Sequence, residues 1–311
     1  MKALVLLSGG LDSGLAAKII QDQVIALEGI TFRSHFFDPS VMAQKQADEL
    51  EIPLTVVDIS QEQLDLVKKP HYGYGRGMNP CLDCHALMLK TAKELARKKG
   101  ASFLITGDVL GQRPMSQNKR AMMIIDKEVD VEGLVLRPLS AKLLAPTIPE
   151  KNGGVDRKKL FSIQGKSRKK QLELSRKFSL REYATPAGGC LLTDPNFSQR
   201  LRNLLIRIKS PLSSDLALLK IGRHFWQKDV LIVVGRNKKE NKEIKGLFQK
   251  GDIIVELKNI LGPTTLIRSW RGKIREVSTE KAKKLTKYYS VKARKEKGVV
   301  FKRLDSRLCR E

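Results

Sequence analysis

A short segment near the N-terminus, Leu-Leu-Ser-Gly-Gly-Leu-Asp-Ser, combines hydroxyl, glycine and carboxylate groups. Gly9 and Gly10 carry no side chains, so the backbone there can approach an anion closely. Ser8 and Ser13 supply hydroxyls, and the N–H groups at the start of a following helix would point toward the same anion. The segment therefore predicts a phosphate-binding turn, in which Asp12 is either an acidic residue at the helix start or a magnesium ligand.

Three cysteines are further candidates for chemistry. Cys81 and Cys84 form a C-x-x-C motif just before a predicted helix. A helix N-terminus lowers the pKa of a thiol and favours the thiolate, the form that binds metals or attacks sulfur. Cys190 follows two glycines, which would let the backbone approach a cluster or a substrate base. Cys309 is assigned no role.

Several interpretations of these thiols stay open. Together with His85 they could form a structural zinc site; the C-x-x-C could be a redox pair, or the thiols could be buried and inert. Three thiolates could also hold a 4Fe–4S cluster with one iron open. The same set could work without metal if one thiolate carries a persulfide and another resolves it. Four cysteines in a chain expected to be cytoplasmic do not indicate a disulfide framework.

The elements that must position these groups alternate between strand-like and helix-like patterns in the first half of the chain, which predicts βαβ units. Strands are predicted at 4–7, within 24–32, at 54–59 and at 103–106, and helices at 13–22, 40–50 and 86–99. The phosphate-binding turn then follows the first strand, at the usual ligand position of an open α/β sheet. We therefore expect an α/β fold with a doubly wound parallel sheet, joined to a second, smaller and basic α+β domain.

The net charge of +26 lies entirely in the second half of the chain. Residues 1–150 contain 18 basic and 18 acidic residues, which leaves 41 (59 − 18) basic and 15 (33 − 18) acidic residues for 151–311. This asymmetry predicts a polyanion such as nucleic acid as partner; a lysine-rich surface of a thermophilic protein is the alternative. A linker predicted at Pro211 divides the chain into a catalytic domain of residues 1–210 and a basic RNA-binding domain of residues 211–311.

In the second half, strands are predicted at 216–221, 230–234 and 252–256, and helices at 198–209 and 238–247. Basic residues interleave with Tyr288, Tyr289 and Phe301, a mixture that suits RNA because bases stack on aromatic rings. A solvated basic helix fits this tail equally well. Three short runs resemble the NFACT-type RNA-binding domain, namely KIGRHF at 220–225, VGRN at 234–237 and GPT at 262–264.

The Ser-Gly-Gly-x-Asp-Ser turn resembles the pyrophosphate loop of the PP-loop ATP pyrophosphatases and lacks the lysine of the Walker loop. Together with the cysteines, it resembles the tRNA thiolation enzymes over about residues 1–200. Asn-Pro-Cys at 79–81 and Gly-Gly-Cys at 188–190 are similar to motifs of the 2-thiouridylases. The run GDVLGQ at 107–112, followed by Ser116-Gln117, is similar to a segment of the 4-thiouridine synthetases.

This resemblance implies an adenine nucleotide alpha hydrolase-like fold and an ATP-dependent tRNA sulfurtransferase. Such an enzyme adenylates a uridine carbonyl oxygen, releases pyrophosphate and replaces AMP by sulfur, with 4-thiouridine favoured over 2-thiouridine. The nucleotide-binding residues it implies are Ser8, Gly9, Gly10, Asp12, Ser13, Thr31, Phe32, Gly107 and Gln112. The catalytic residues it implies are Asp12, Asp108, Cys81, Cys84 and Cys190, of which Asp108 binds magnesium or orients the base.

The implied cofactors are ATP, Mg²⁺ and a 4Fe–4S cluster on Cys81, Cys84 and Cys190. The implied partners are tRNA and a sulfur donor, either inorganic sulfide or the persulfide of a cysteine desulfurase. Two other functions stay open: a PP-loop enzyme acting on a small molecule, and a non-catalytic RNA-binding protein with structural zinc. No apolar run approaches the roughly 20 residues that span a bilayer, and no signal peptide is evident, so a cytoplasmic location is expected.

Overall fold

The computed structural model describes residues 1–184 and 189–305. Gly188 of the Gly-Gly-Cys motif and Cys309 lie outside the described residues. The chain divides into two compact units, Met1–Asp194 and Pro195–Glu311. None of the described helices is both long enough and apolar enough to span a bilayer.

The first unit contains a five-stranded sheet with the strand order β3-β2-β1-β4-β5, in which all neighbouring strands run parallel. Its strands are β1 (Lys2–Leu6), β2 (Ala26–Arg33), β3 (Leu54–Asp58), β4 (Phe103–Ile105) and β5 (Val135–Leu136). Its helices are α1 (Leu11–Gln21), α2 (Ser40–Glu49), α3 (Ser60–Lys68), α4 (Cys81–Lys99), α5 (Lys119–Glu128), α6 (Ile148–Lys151) and α7 (Lys169–Lys177). The predicted parallel α/β fold is confirmed.

Alternation along β1 explains why helices cover both faces of this sheet. Ala3 and Val5 belong to the apolar cluster that contains the buried face of α1. Leu4 belongs to the other cluster, with Leu89 and Ala92 of α4. Successive side chains of a strand point to opposite faces, so a strand that is apolar throughout requires helices on both.

The strand register determines which residues meet at the carboxyl edge of the sheet. Leu6 of β1 pairs with Ile30 of β2, and Val5 pairs with Ile105 of β4. The residues that follow β1 and β4 therefore leave the sheet side by side, as expected for a ligand site in an open α/β sheet.

The second unit contains an antiparallel sheet with the strand order β10-β8-β9-β7-β6. Its strands are β6 (Arg223–Gln227), β7 (Val230–Val234), β8 (Ile253–Leu257), β9 (Thr265–Ser269) and β10 (Phe301–Asp305). Its helices are α8 (Pro195–Arg207), α9 (Ser213–Leu218), α10 (Lys238–Gly246) and α11 (Glu276–Tyr288). The predicted α+β class of this domain is confirmed.

A buried ion-pair network stabilises the second unit. The Arg268 side chain is 4% exposed and contacts Asp215 at 2.8 Å and Asp252 at 2.7 Å. Arg268 also donates to the carbonyl of Leu247. Two carboxylates and one guanidinium thus satisfy one another in a setting where an unpaired charge would be costly.

Two predicted elements need correction. The strand predicted at 216–221 is wrong, because Ser213–Leu218 forms helix α9, whose first turn is closed by the Asp215 carboxylate accepting from the N–H of Leu212. A short apolar run does not distinguish a buried strand from a buried helix. The helix predicted from residue 86 begins at Cys81, so both cysteines of the C-x-x-C lie inside its first turn.

Candidate active site

A tight turn joins β1 to α1 and brings the serines and glycines of the predicted phosphate loop together. Gly9 has a φ of +65°, and an added Cβ would lie 2.9 Å from Cβ of Met42. Ser13 donates its hydroxyl to the carbonyl of Gly10 at 2.9 Å, and the N–H of Ser8 donates to Ser13 Oγ at 3.2 Å. The first N–H groups of α1 have no acceptor within the helix and can bind an anion.

Gly107 forms the wall behind this turn. A Cβ at this position would lie 2.4 Å from the backbone nitrogen of Ser13 and 2.6 Å from the carbonyl carbon of Asp12. The chain leaving β4 therefore touches the chain entering α1, backbone against backbone. Only a residue without a side chain permits this approach.

Two side-chain hydrogen bonds in series link Asp12 to helix α7. Gln112 Nε2 donates to Asp12 Oδ2 at 2.7 Å, and Gln171 Nε2 donates to Gln112 Oε1 at 3.1 Å. Arg168 Nη2 lies 3.9 Å from Asp12 Oδ2. Burial raises the pKa of Asp12, and Gln112 and Arg168 only partly offset this effect.

Three polar atoms of this group are buried without a hydrogen-bond partner among the described residues: Asp12 Oδ1, Gln171 Oε1 and Arg168 Nε. A buried polar atom without a partner costs free energy, so such a cluster indicates where a ligand binds. Magnesium takes oxygen ligands, whereas guanidinium groups bind phosphate oxygens. Two acceptors and one donor beside a phosphate-binding turn fit a magnesium-bound polyphosphate.

Thr31 and Phe32 lie in β2 beside the turn, and both are buried. The Phe32 side chain packs in the apolar cluster on the α4 face of the sheet. Thr31 Oγ1 has no hydrogen-bond partner in the described part of the chain. A nucleotide contact at this strand would therefore use backbone groups or the Thr31 hydroxyl and not the phenyl ring.

The three predicted cysteines lie in one neighbourhood. Burial, with smaller contributions from the charges of Cys190 and Cys81, raises the pKa of Cys84 to about 12. Burial, with a contribution from Cys81, raises the pKa of Cys190 to about 11. Backbone hydrogen bonds hold the Cys190 segment in place, from Met78 N to the carbonyl of Leu192 and from Leu191 N to the carbonyl of Phe36.

The fit of these thiols to a metal is incomplete. Cys84 Sγ accepts a hydrogen bond from Gln63 Nε2 at 3.2 Å. Within the described residues, no group of three or more His, Cys, Asp or Glu side chains is arranged to hold a metal ion. This finding applies equally to the 4Fe–4S cluster and to a zinc site that includes His85, and we derive no chemical step through either.

Cys81 differs from the other two thiols because His85 lies one helical turn further along α4. Burial alone would raise the pKa of Cys81, but the hydrogen bond and charge of His85 outweigh burial and lower it. Burial likewise opposes the charged form of His85, whereas Cys81 and Asp108 raise the His85 pKa. The arrangement favours a Cys81 thiolate that is paired with the His85 histidinium. Such a thiolate is a nucleophile.

Asp108 is a fixed negative charge next to this pair. Thr106 Oγ1 donates to its Oδ2 at 2.8 Å, and Gln117 Nε2 donates to its Oδ1 at 2.9 Å. Burial opposes ionisation, but the charges of His85 and Arg137 outweigh it and lower the pKa of Asp108. Both oxygens are thus engaged, which fits an electrostatic role better than a role as metal ligand.

Arg113 is an exposed cation whose charge is felt on both the phosphate side and the sulfur side of the site. Its charge lowers the pKa values of Asp12, Cys81 and His85, in each case by less than burial changes them. Arg113, Arg168 and Gln171 are not among the site residues predicted from the sequence. Only Arg113 had a signal in the sequence, because it follows the predicted nucleotide-binding residue Gln112 directly.

Two family models match this chain. Residues 1–142 match the model described as Thiamine biosynthesis protein (ThiI), and residues 222–307 match the NFACT protein RNA binding domain. The first match contains the phosphate loop, Cys81, Cys84 and Asp108. The second match contains all five described strands of the second unit.

Curated relatives match the first half of the chain. A probable tRNA sulfurtransferase of Thermoanaerobacter sp. (strain X514) is 30% identical over 148 residues, which are 44% of this chain and 36% of that protein. A probable tRNA sulfurtransferase of Ureaplasma parvum serovar 3 (strain ATCC 27815 / 27 / NCTC 11736) is 32% identical, over 45% of this chain and 37% of that protein. The tRNA-specific 2-thiouridylase MnmA of Acidithiobacillus ferrooxidans (strain ATCC 53993 / BNL-5-31) is 38% identical, over 34% of this chain and 33% of that protein. The chain thus spans about a third of the length of these relatives.

Among solved structures, the chain is similar to one titled "Crystal structure of a 4-thiouridine synthetase - RNA complex with bound ATP". The sequence identity is 20% and the TM-score is 0.38, and the match covers 70% of this chain and 52% of that one. A predicted subunit of tRNA methyltransferase from Methanocaldococcus jannaschii is 17% identical with a TM-score of 0.38, over 57% of this chain and 76% of that one.

Proposed function

We propose that this chain, which joins a PP-loop domain of the tRNA thiouridine synthase type to an NFACT-type RNA-binding domain, is an ATP-dependent tRNA sulfurtransferase. In the proposed reaction a uridine carbonyl oxygen of tRNA attacks the α-phosphorus of ATP, and pyrophosphate leaves. Sulfur then displaces AMP from the activated carbon. Activation is required because a uridine carbonyl does not otherwise exchange oxygen for sulfur.

The observation that carries this proposal is the position of the Cys81 thiol relative to the phosphate loop. The chain after β4 links the two sides: the Gly107 backbone lies against Ser13 and Asp12 of the loop, and the next residue, Asp108, acts on His85, the hydrogen-bond partner of Cys81. An activated oxygen and an attacking sulfur must meet at one carbon, so the two groups have to share one cavity. Preorganised N–H groups at the start of α1 and the Arg168 guanidinium would stabilise the charge that develops on the phosphates.

The chain's own residues support specific roles in this reaction. The loop residues Ser8, Gly9, Gly10 and Ser13 would bind the phosphates, and Asp12 with Gln171 would offer oxygens to magnesium. Bound magnesium would neutralise the leaving pyrophosphate. Gly107 and Gln112 would act through Asp12, Gly107 by allowing the close approach and Gln112 by orienting the carboxylate.

For the sulfur step, the residues support Cys81 as the carrier of a persulfide, whose terminal sulfur attacks the activated carbon and displaces AMP. The thiol of Cys84 or Cys190 then attacks Cys81 Sγ, which breaks the S–S bond, leaves the transferred sulfur on the base and forms a disulfide that an added thiol reductant must reduce before the next turnover. A histidine-paired thiolate is suited to accept sulfur from a persulfide donor. The 4Fe–4S cluster predicted from the sequence stays an alternative carrier, with inorganic sulfide as donor. The two carriers differ in colour, since an iron–sulfur protein absorbs visible light.

The substrate proposal rests on both units. The relatives of the first unit are named as enzymes of tRNA. The second unit matches an RNA-binding domain and carries a net charge of +19 (30 − 11) of the +26 of the chain. We favour 4-thiouridine over 2-thiouridine because of the GDVLGQ and Ser-Gln segments at 107–117. A small-molecule substrate would leave the basic second unit without a role.

The decisive experiment incubates the full chain with ATP, magnesium, bulk tRNA, a sulfur source and a thiol reductant, followed by nucleoside mass spectrometry of the tRNA. We expect thiouridine together with AMP and pyrophosphate. Asp12→Asn should lose both thiouridine and pyrophosphate release, whereas Cys81→Ala should lose thiouridine but still release pyrophosphate in the adenylation step. Lys169→Ala, on the exposed start of α7, is the matched control. Formation of ADP and phosphate, or ATP consumption that does not depend on tRNA, would contradict the proposal. Anaerobic purification separates the carriers, because a brown protein that loses its colour in Cys81→Ala supports the cluster.

A further inference from the structure

Four side chains of the second unit form a continuous row of ring and guanidinium contacts at the end of α11. The Arg294 guanidinium lies 4.8 Å from the ring centre of Tyr288, and the Tyr288 and Tyr289 rings meet edge to face at 4.9 Å. The Arg223 guanidinium lies 4.5 Å from the ring centre of Tyr289. We call this run of Arg294, Tyr288, Tyr289 and Arg223 the Arg–Tyr ladder.

The ladder is held by the fold of the second unit and not by its own contacts alone. Tyr288 and Tyr289 end α11, whose Ala282 and Leu285 pack in the apolar cluster beneath the sheet. Arg294 Nε donates to the carbonyl of Tyr288 at 2.9 Å. Arg223 begins strand β6, which lies at the edge of the sheet. A short helix and an edge strand therefore present the ladder in a fixed geometry.

Exposure sets this group apart from the other aromatic stack of the unit. Tyr288 is 56% exposed, and Arg294 is also exposed. Trp226 and Trp270 stack at 5.6 Å, but both pack against the apolar cluster on the opposite face of the sheet. The Arg207 guanidinium also lies 4.4 Å from the ring centre of Trp226, so the exposure of Tyr288, and not its arginine contact, is the feature that core packing does not explain.

The surface around the ladder is strongly positive. Residues 280–297 contain eight basic and two acidic residues, a net charge of +6 (8 − 2). The basic residues are Lys281, Lys283, Lys284, Lys287, Lys292, Arg294, Lys295 and Lys297, and the acidic residues are Glu280 and Glu296. Exposed rings among basic side chains are the combination that binds unpaired bases, because each base stacks on a ring while its phosphate meets a cation.

We propose that the Arg–Tyr ladder binds an unpaired stretch of RNA by stacking bases on Tyr288 and the flanking guanidiniums. This inference deepens the proposed function, because it rests on RNA as the ligand and names the structural feature of the RNA that the second unit recognises. Duplex RNA keeps its bases stacked on one another and offers mainly phosphates and hydroxyls. The ladder therefore gives the second unit a preference for loops or single-stranded ends.

The test compares Tyr288→Ala with Lys284→Gln in the full chain. Lys284 is exposed on the same helix and lies outside the ladder. Binding is measured with a labelled single-stranded RNA of ten mixed-sequence nucleotides and with a blunt-ended RNA duplex of the same sequence, which has no loop, across a series of salt concentrations. Unfolding midpoints by circular dichroism establish that both variants fold like the parent chain.

We expect Tyr288→Ala to weaken single-strand binding about fivefold or more, with little change for the duplex and no change in the salt slope. Tyr288→Trp should retain the affinity. Lys284→Gln should weaken both ligands and reduce the salt slope by about 0.7 for the single strand. Equal losses of both ligands in Tyr288→Ala, or no loss of either, would overturn the proposal. These outcomes do not depend on whether the chain forms thiouridine, which is measured separately.

Discussion

Replacing Gly107 with alanine tests whether the chain after β4 must touch the start of α1 for the site to work. The added Cβ would lie 2.4 Å from Ser13 N and 2.6 Å from the carbonyl carbon of Asp12. Non-bonded carbon atoms prefer about 3.5–4.0 Å. Since the opposing atoms belong to the backbone, no side-chain rotation relieves the overlap, and the two segments must separate by about 1 Å.

The consequence should be large for activity and moderate for stability. A displacement of about 1 Å between reacting groups costs on the order of 100-fold in rate. Overpacking of this kind destabilises a fold by about 1–3 kcal/mol. We therefore expect Gly107→Ala to form AMP about 100-fold more slowly than the parent chain while it still binds RNA through the second unit.

The assay follows AMP release from ATP in the presence of tRNA, below the unfolding midpoint of the variant. Gly246→Ala is the matched control, because an added Cβ at that helical position meets nothing within 4 Å. It should leave the rate unchanged and raise stability by about 0.5–1 kcal/mol. A Gly107→Ala variant whose rate stays within threefold of the parent would refute the close approach as a requirement.

Three further changes have equally definite outcomes. Arg168→Ala should weaken equilibrium binding of ATP or pyrophosphate about tenfold, whereas Lys169→Ala should not; equal values would disprove the phosphate contact. Iodoacetamide should modify Cys81 before Cys84 at pH 7, because a lowered pKa leaves more thiolate at neutral pH; the reverse order by mass spectrometry would contradict the assignment. Arg268→Ala should destabilise the second unit by about 3–5 kcal/mol, because two buried carboxylates lose their partner, and urea unfolding followed by tryptophan fluorescence measures this loss.

The parts of the fold that could be predicted were those with a local signal. Strand β7 was predicted at its exact bounds because a run of β-branched residues between turn residues has few alternatives. The phosphate loop was equally local, since glycines, serines and the following helix lie within a few positions. The helix at 213–218 was missed because a short apolar run has no period that distinguishes helix from strand.

The contacts of Asp12 could not be predicted in the same way. Gln112 lies 100 positions away along the chain and Gln171 lies further still, so only the tertiary fold brings them together. By contrast, the relation of Cys81 to His85 was accessible. Once the helix starts at Cys81, a residue four positions on lies on the same face, and the spacing alone indicates a thiol–imidazole pair.

The position of Asp108 changes the interpretation of the whole site. A magnesium ion bound by this carboxylate would have to displace hydrogen bonds from Thr106 and Gln117, and it would approach Arg137, whose Nε lies 3.7 Å away. Burial alone would lower the pKa of His85, and the Asp108 charge helps to raise it. We therefore infer that the two acidic residues have different roles. Asp12 acts at the phosphate-binding loop, whereas Asp108 stabilises the His85 histidinium and thereby favours the reactive thiolate of Cys81.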